Sequence, residues 1–281
     1  MYEIVKREAL NPTVTLLEIK APLVAKKARP GQFIILRVDE LGERIPLTIA
    51  DSNKQAGTVT IIFQVVGGTT EKLNHIMVGD SILDFVGPLG RPTEIEGLKK
   101  VAVVGGGVGS AIAYPVTKAL HEAGAEVHAI VGFRTKDLVI LEDEFRANSS
   151  RFVLMSDDGS VGEKGLVTDA LKKLIESGEQ YDEVITIGPL IMMKFVSLVT
   201  KEYGIKTIAS MNPVMIDGTG MCGGCRLTVG GKTKFACVDG PEFDAHEIDF
   251  DEAMERAAMY RTFEREQHEE TCNLFKQEVK E

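Results

Sequence analysis

Basic charge is in deficit in this chain: 32 Lys and Arg face 42 Asp and Glu, and the cations are spread along the whole length. A net charge of −10 argues against a nucleic-acid or anionic-membrane surface, because either needs concentrated basic residues. Small molecules or another protein are the expected partners. Long apolar runs are also missing. The longest, "VAVVGGGVGSAIAYPV" over 101–116, is too short and too rich in glycine for a membrane span. The opening "MYEIVKREALNPTV" lacks the apolar segment of a secretory signal, so a cytoplasmic location is expected. Cysteine is limited to four residues, and three of them, Cys222, Cys225 and Cys237, crowd together while Cys272 lies in a charged tail. That distribution suits metal binding under reducing conditions better than a disulfide framework. Internal repeats and low-complexity segments are absent.

What is present is a change of period. With 281 residues there is room for two or three domains. Up to about residue 97 the chain runs in short alternating stretches such as "TVTLLEIKA", "GQFIILRVD", "GTVTIIFQVV" and "DSILDFVGP", punctuated by Gly, Pro and Asp. This is the pattern of an antiparallel barrel or sandwich, and a barrel is the expectation adopted. From 98 to 208, apolar strands alternate with helical spacing: "KKVAVVGGGVG", "SAIAYPVTKALHEAG", "EVHAIVGF", "DLVILEDEFRAN", "RFVLMSDD", "VTDALKKLIESG", "EVITIGP". Right-handed crossovers and a doubly wound parallel sheet follow. Residues 209–250 hold the clustered cysteines and a hairpin signal at Gly230-Gly231. Residues 251–281 have the spacing of an amphipathic helix and tail. The expected fold class is therefore α/β plus all-β.

Four stretches can carry chemistry. Gly105, Gly106, Gly107, Val108 and Gly109 lie between a buried strand and a helix, where glycines let the backbone approach a pyrophosphate at a helix N-terminus. The alternative is a tight turn without a nucleotide. Arg134, after the next strand, could favour a phosphate or be solvated, so NADH and NADPH are not distinguished. Gly188 and Pro189 follow a later strand at the edge where such sheets bind ligands, and Met192 comes soon after. In the barrel, "RIPLTIAD" and "VVGGTT" end strands with small or hydroxyl-bearing residues, suited to a second phosphate-bearing cofactor or to plain corners.

The most specific stretch is "MIDGTGMCGGC". Asp217, Cys222 and Cys225 have four and then two residues between them, the plant-type [2Fe-2S] spacing with aspartate in the leading position, and Cys237 follows. Gly218, Gly220, Gly223 and Gly224 would let the loop wrap a cluster. The competitors are a structural zinc held by the three cysteines and Asp217, although zinc sites more often pair two short knuckles, and a cluster completed by Cys272, which lies far along a charged stretch. Cys272 is expected to be a free thiol.

Taken in this order, the motifs resemble the electron-transfer subunits of the ferredoxin-NADP reductase superfamily over about residues 1–250. Within it, they are most like the dihydroorotate dehydrogenase electron-transfer subunit and the small subunit of NADH-dependent reduced ferredoxin:NADP oxidoreductase, also known as a sulfide dehydrogenase subunit. The resemblance implies an FAD barrel (1–97), an NAD(P) domain (98–208) and a [2Fe-2S] domain (209–250). It assigns the flavin to Ile45, Pro46, Leu47 and Thr48, to Ile62, Phe63 and Gln64, and to Gly67, Gly68, Thr69 and Thr70. Arg44 sits one position early for the family's arginine, and Ile187 stands where many relatives have cysteine before Gly-Pro. Asp217 looks like the aspartate variant of the ferredoxin:NADP oxidoreductase subunit. The implied activity is electron transfer between NAD(H) or NADP(H), FAD and the cluster, with no acid-base residue named as catalytic. A larger flavin and [4Fe-4S] subunit performing electron bifurcation is the expected partner, with ferredoxin engaged indirectly. A dihydroorotate dehydrogenase role is the alternative, and a zinc- and nucleotide-binding protein without redox chemistry is the third.

Overall fold

The computed structural model describes residues 1–260, 262–266 and 269; Cys272 lies outside them. The first sheet is wholly antiparallel. It contains β1 (Tyr2–Asn11), β2 (Val14–Lys20), β3 (Phe33–Arg37), β4 (Ile45–Asn53), β5 (Thr58–Gln64), β6 (Ser81–Ile82) and β7 (Asp84–Leu89), in the order β6-β1-β2-β5-β4-β3-β7. The two ends of that order are separated in sequence by Leu83 alone, whose N–H bonds the carbonyls of Arg37 and Val38. One interrupted strand thus joins both edges, and the sheet curls into a near-closed barrel without an open flank. Alternate residues point inward: Leu17, Ile19, Ile34, Leu36, Ile61 and Phe63 form its core. Two helices close the barrel, α1 (Pro22–Lys27) and α2 (Gly68–His75). The second of these lies where the sequence suggested a strand end, because Thr70 caps the backbone of Val66 and Gly67 and starts a helix.

The second sheet has β8 (Lys100–Gly106), β9 (Glu126–Phe133), β10 (Arg151–Ser156), β11 (Glu163–Lys164), β12 (Glu183–Ile187) and β13 (Thr207–Ser210), with helices α3 (Gly109–Glu122), α4 (Glu142–Ala147), α5 (Val167–Glu176) and α6 (Leu190–Glu202) between them. Its order is β11-β10-β9-β8-β12-β13-β16, where β16 is Glu242–Asp244. The chain winds outward from β8 in both directions, so the switch point lies between β8 and β12. β12 is buried throughout, as a strand covered on both faces must be. Helix α5 buries Val167, Ala170, Leu171 and Leu174, a single stripe at helical spacing.

Two details depart from the sequence reading. "DLVILEDEFRAN" is α-helical only over Glu142–Ala147, after a short 3-10 turn at Lys136–Leu138, because Leu141 takes a left-handed φ of 57° and starts the helix late. The parallel sheet gains an antiparallel edge, since β16 pairs with β13 and returns the C-terminal segment to it. Three residues are too few to show a period. The remaining elements are the hairpin β14 (Arg226–Val229) and β15 (Lys232–Phe235), then α7 (Ala236–Asp239) and α8 (Phe250–Ala258). One buried cluster joins all parts around the cysteines: Phe33 and Ile35 from the barrel, Met193 from α6, Ala209 from β13, and Cys225 and Cys237.

Candidate functional site

At the switch point three chain segments approach more closely than side chains would allow. A Cβ on Gly109 would lie 2.6 Å from both the Cα of Gly188 and the carbonyl oxygen of Ile187, and one on Gly106 would meet Met192 Sδ at 2.3 Å. Glycine is therefore required here for helix α3 to seat against the end of β12. Gly107 differs. Its φ of +55° favours glycine, its N–H is tied to the carbonyl of Gly132, and nothing lies within 4 Å of where its Cβ would be. That open side, at the N-terminal end of a fourteen-residue helix, is the place a pyrophosphate would take. Val108 is the half-buried N-cap. Met192 packs beneath the crevice, against Gly106 and Gly188. Arg134 is exposed just past β9.

The flavin segments come together on the barrel. Ile45, Pro46, Leu47 and Thr48 form the half-buried start of β4, paired with β3. Gln64 ends β5, with Gly67 to Thr70 following as the cap and first turn of α2. Thr70 Oγ1 accepts the N–H groups of Val66 and Gly67 and donates to the Gly67 carbonyl, while Thr69 Oγ1 lies 3.3 Å from Glu43 Oε2. The helix start, open space beside Gly67 and unpaired first-turn N–H groups fit a phosphate-bearing cofactor. Phe63 does not reach this surface. It is 2% exposed and belongs to the barrel core, and Ile62 is 7% exposed and packs toward the second sheet, so only their backbones could meet a flavin.

Arg44 has another occupation. Its Nε donates to the carbonyl of Ile216 at 2.8 Å, tying the barrel to the cysteine loop. No local signal reveals such a bond between segments 172 residues apart.

The loop itself turns on glycines at positive φ: Gly218, Gly220 and Gly223. Gly218 packs on the barrel, where a Cβ would come within 2.7 Å of Leu89. The Oδ2 of Asp217 accepts the N–H groups of Met221 and Cys222, and its Oδ1 accepts that of Thr219. The Thr219 hydroxyl, the Cys222 N–H and other loop donors hold this carboxyl well below the usual carboxylate range. Cys225 and Cys237 are buried with their sulfurs 3.2 Å apart, whereas Cys222 is exposed. Burial, then the neighbouring Cys225 thiol, pushes Cys237 up to about 12, opposed by the Gly220 N–H aimed at its sulfur.

Among the described residues, three donors within 4.8 Å of one another occur at Glu126, His128 and Glu179, where Lys100 Nζ already sits 2.8 Å from Glu126. A carboxylate, an exposed thiol and two buried thiols, wrapped by glycine N–H groups, fit a dinuclear cluster. Four apolar side chains near this loop in sequence face solvent: Val214, Ile216, Met221 (87% exposed) and Val238.

A barrel with a capped phosphate-type corner, a doubly wound sheet and a cysteine loop define an electron-transfer protein with the ferredoxin-NADP reductase type of fold and an appended iron–sulfur domain. Residues 212–249 match the iron–sulfur cluster binding domain of dihydroorotate dehydrogenase B. The dihydroorotate dehydrogenase B (NAD(+)) electron transfer subunit homolog of Thermotoga maritima is 50% identical over 269 residues, covering 96% of this chain and 95% of that protein. The corresponding electron transfer subunit of Fusobacterium nucleatum is 33% identical, covering 84% of this chain and 92% of that protein. A solved NADH-dependent reduced ferredoxin-NADP oxidoreductase, studied for flavin-based electron bifurcation, contains a chain 49% identical to this one. The two superpose with a TM-score of 0.91 over 96% of this chain and 97% of that one. The chain belongs to the family of dihydroorotate dehydrogenase B electron transfer subunits and their homologues. Its fold binds FAD and NAD(P)H, and its C-terminal domain binds an iron–sulfur cluster.

Proposed function

We propose that the chain is an NAD(P)H-dependent flavin and iron–sulfur oxidoreductase subunit, exchanging electrons with a larger flavin/[4Fe-4S] subunit that meets ferredoxin. The carrying observation is the shared buried cluster: barrel residues Phe33 and Ile35, Met193 of helix α6, and Cys225 and Cys237 are in one apolar core. A core shared by the barrel, the second sheet and the cysteine loop holds these parts at fixed separations, which suits electron transfer. A bound flavin would supply the conversion of one hydride, two electrons, into single-electron steps, chemistry that belongs to the cofactor.

The chain's residues do the placing. Gly105 to Gly109 hold the dinucleotide phosphates, and Gly188, Pro189 and Met192 shape the floor beneath the nicotinamide. Strand β4 from Ile45 to Thr48, the backbone of Ile62 to Gln64, and Gly67 to Thr70 hold the FAD. Asp217, Cys222, Cys225 and Cys237 hold the [2Fe-2S] cluster. The division into 1–97, 98–208, 209–250 and 251–281 follows these roles, with β16 reaching back to the second sheet.

Exposed Val214, Ile216, Met221 and Val238 suit a partner that docks over the cluster. No helix among the described residues is long and apolar enough to cross a membrane, and the reducing chemistry of the thiols suits the cytoplasm. The 49% identity over nearly the whole of both chains favours the bifurcating assembly. The match of residues 212–249 favours, as second reading, a subunit of NAD-dependent dihydroorotate dehydrogenase. Purifying the tagged chain from its native host and assaying the complex separates the two. Reduction of NADP with NADH and reduced ferredoxin supports the first reading; NAD-linked dihydroorotate oxidation replaces it with the second.

A further inference from the structure

Cys222 and Cys225, with two glycines between them, form the short motif in which a pair of thiols commonly cycles with a disulfide. The fold separates these two. Cys222 is exposed, and its thiol is among the donors to the Asp217 carboxylate. Cys225 is 1% exposed and Cys237 2%, and their sulfurs meet at 3.2 Å although the residues are 12 apart in sequence. The distant cysteine is the neighbour.

The hairpin makes this contact. Arg226 pairs with Phe235 across β14 and β15, and the next rung is the bond from the Ala236 N–H to the Cys225 carbonyl at 3.1 Å. The chain then turns into α7, held by the Phe235 N–H on Asp239 Oδ2, which brings the Cys237 N–H to 3.5 Å from Cys225 Sγ. Ahead of Cys225, Arg256 Nη2 donates to the Gly224 carbonyl. Both thiols thus sit on tied backbone, among Met215, Leu227 and Ala236. A disulfide has its sulfurs about 2.05 Å apart, so each would move by roughly half an ångström to close one. Cys222 is placed otherwise, because Gly223, at a φ of +69°, turns the loop between it and Cys225.

We infer that Cys225 and Cys237 are a redox pair which, when the cluster is not seated on them, closes to a disulfide under peroxide and bars cluster entry until it is reduced, with Cys222 left as a free thiol. Two S–H bonds and the O–O bond of hydrogen peroxide break, and one S–S bond forms. Each sulfur gives up one electron to the peroxide oxygens, and both thiol protons leave in two molecules of water. Dithiothreitol reverses the step by exchange and takes the disulfide onto itself. Peroxide is the matching oxidant, since a neutral molecule little larger than water reaches buried thiols that a glutathione disulfide does not. The pairing rests on the sulfur geometry; its effect on loading rests on the reading of Asp217, Cys222, Cys225 and Cys237 as cluster ligands.

The test takes the full, FAD-loaded chain, cleared of iron with a chelator under anaerobic conditions, and treats it with hydrogen peroxide before alkylation, trypsin digestion and mass spectrometry. Cleavage after Arg226 and Lys234 leaves Cys222 and Cys225 on one peptide and Cys237 on another. The expected product joins these two peptides, lighter by two hydrogen atoms than their sum, with Cys222 alkylated. Cys222→Ser should give the same cross-link. A disulfide inside the first peptide, a bond to Cys222 or Cys272, or all the thiols alkylated or irreversibly oxidised overturns the pairing.

Ferrous iron and sulfide are then offered to the oxidised and the reduced chain, and cluster uptake is followed by visible absorbance. The oxidised chain should lose uptake and regain it after dithiothreitol. Uptake by the cross-linked chain as fast as by the reduced one overturns the bar to entry. A reduced chain that takes up no cluster overturns the cluster reading and leaves the pairing standing, because the peptide map does not depend on it.

Discussion

Arg44 Nε lies 2.8 Å from the carbonyl oxygen of Ile216, so the residue just before strand β4 is bonded to the residue just before Asp217. Ile45 to Thr48 of that strand are assigned to the flavin, and Asp217 to the cluster. The bond thus joins the two ends of the proposed electron step directly. Its charged donor and main-chain acceptor give it more than the usual worth of a surface contact, although Arg44 is about one-third exposed.

Arg44→Ala should destabilise the chain by about 1 kcal/mol and loosen the cysteine loop. Calorimetric melting checks the first effect, and broadening of the reduced cluster's electron paramagnetic resonance signal checks the second. Unchanged line shape would mean that the loop is held without this bond.

Gly109→Ala tests the switch point. The new methyl would collide with the backbone of Ile187 and Gly188, which has no rotamer to yield. A cost of roughly 1–3 kcal/mol is expected. Bleaching of the flavin by NADH should fall at least tenfold, while FAD content, held by the barrel, stays at the wild-type level. Equal loss of FAD would place the damage in the barrel instead.

Glu242 makes stability depend on pH. Its Oε1 accepts from Thr93 Oγ1 at 2.7 Å beside Gly31, and burial raises its carboxyl from 4.5 to about 7, with the Thr93 bond opposing. The native state therefore holds a proton that the unfolded chain has released. The relative stabilisation is complete below pH about 4.5 and is lost as the pH rises through about 7. Glu242→Gln should flatten the melting temperature between pH 5 and pH 8, taken as roughly the span in which this group titrates. A slope equal to wild type would assign the dependence to other groups.

Asp217→Cys should change the cluster's potential, because a carboxylate oxygen is a harder, less donating ligand than a thiolate. Redox titration followed by paramagnetic resonance measures it. A potential identical to wild type would reduce Asp217 to the loop cap that its bonds to Thr219, Met221 and Cys222 already make it.

Much of this was legible in the sequence because each signal is local. Glycines after a buried strand, the Asp-x4-Cys-x2-Cys spacing and the change from alternating to helical period each occupy a few consecutive residues. What escaped is non-local or too short. Arg44 meets Ile216 across the fold, and β16 is three residues whose pairing depends on β13. Phe63 reads as a plausible cofactor neighbour in its motif, yet the strand's alternation turns it into the barrel core.

The central claim is that one chain carries electrons from a nicotinamide to a flavin and on to its own cluster. An anaerobic visible-absorbance titration of the purified, cofactor-loaded chain with NADH tests it most directly. Flavin bleaching accompanied by loss of the longer-wavelength iron–sulfur absorbance is the predicted result. A preparation that FAD, iron and sulfide cannot colour, or a flavin that bleaches while the cluster stays oxidised, would contradict it.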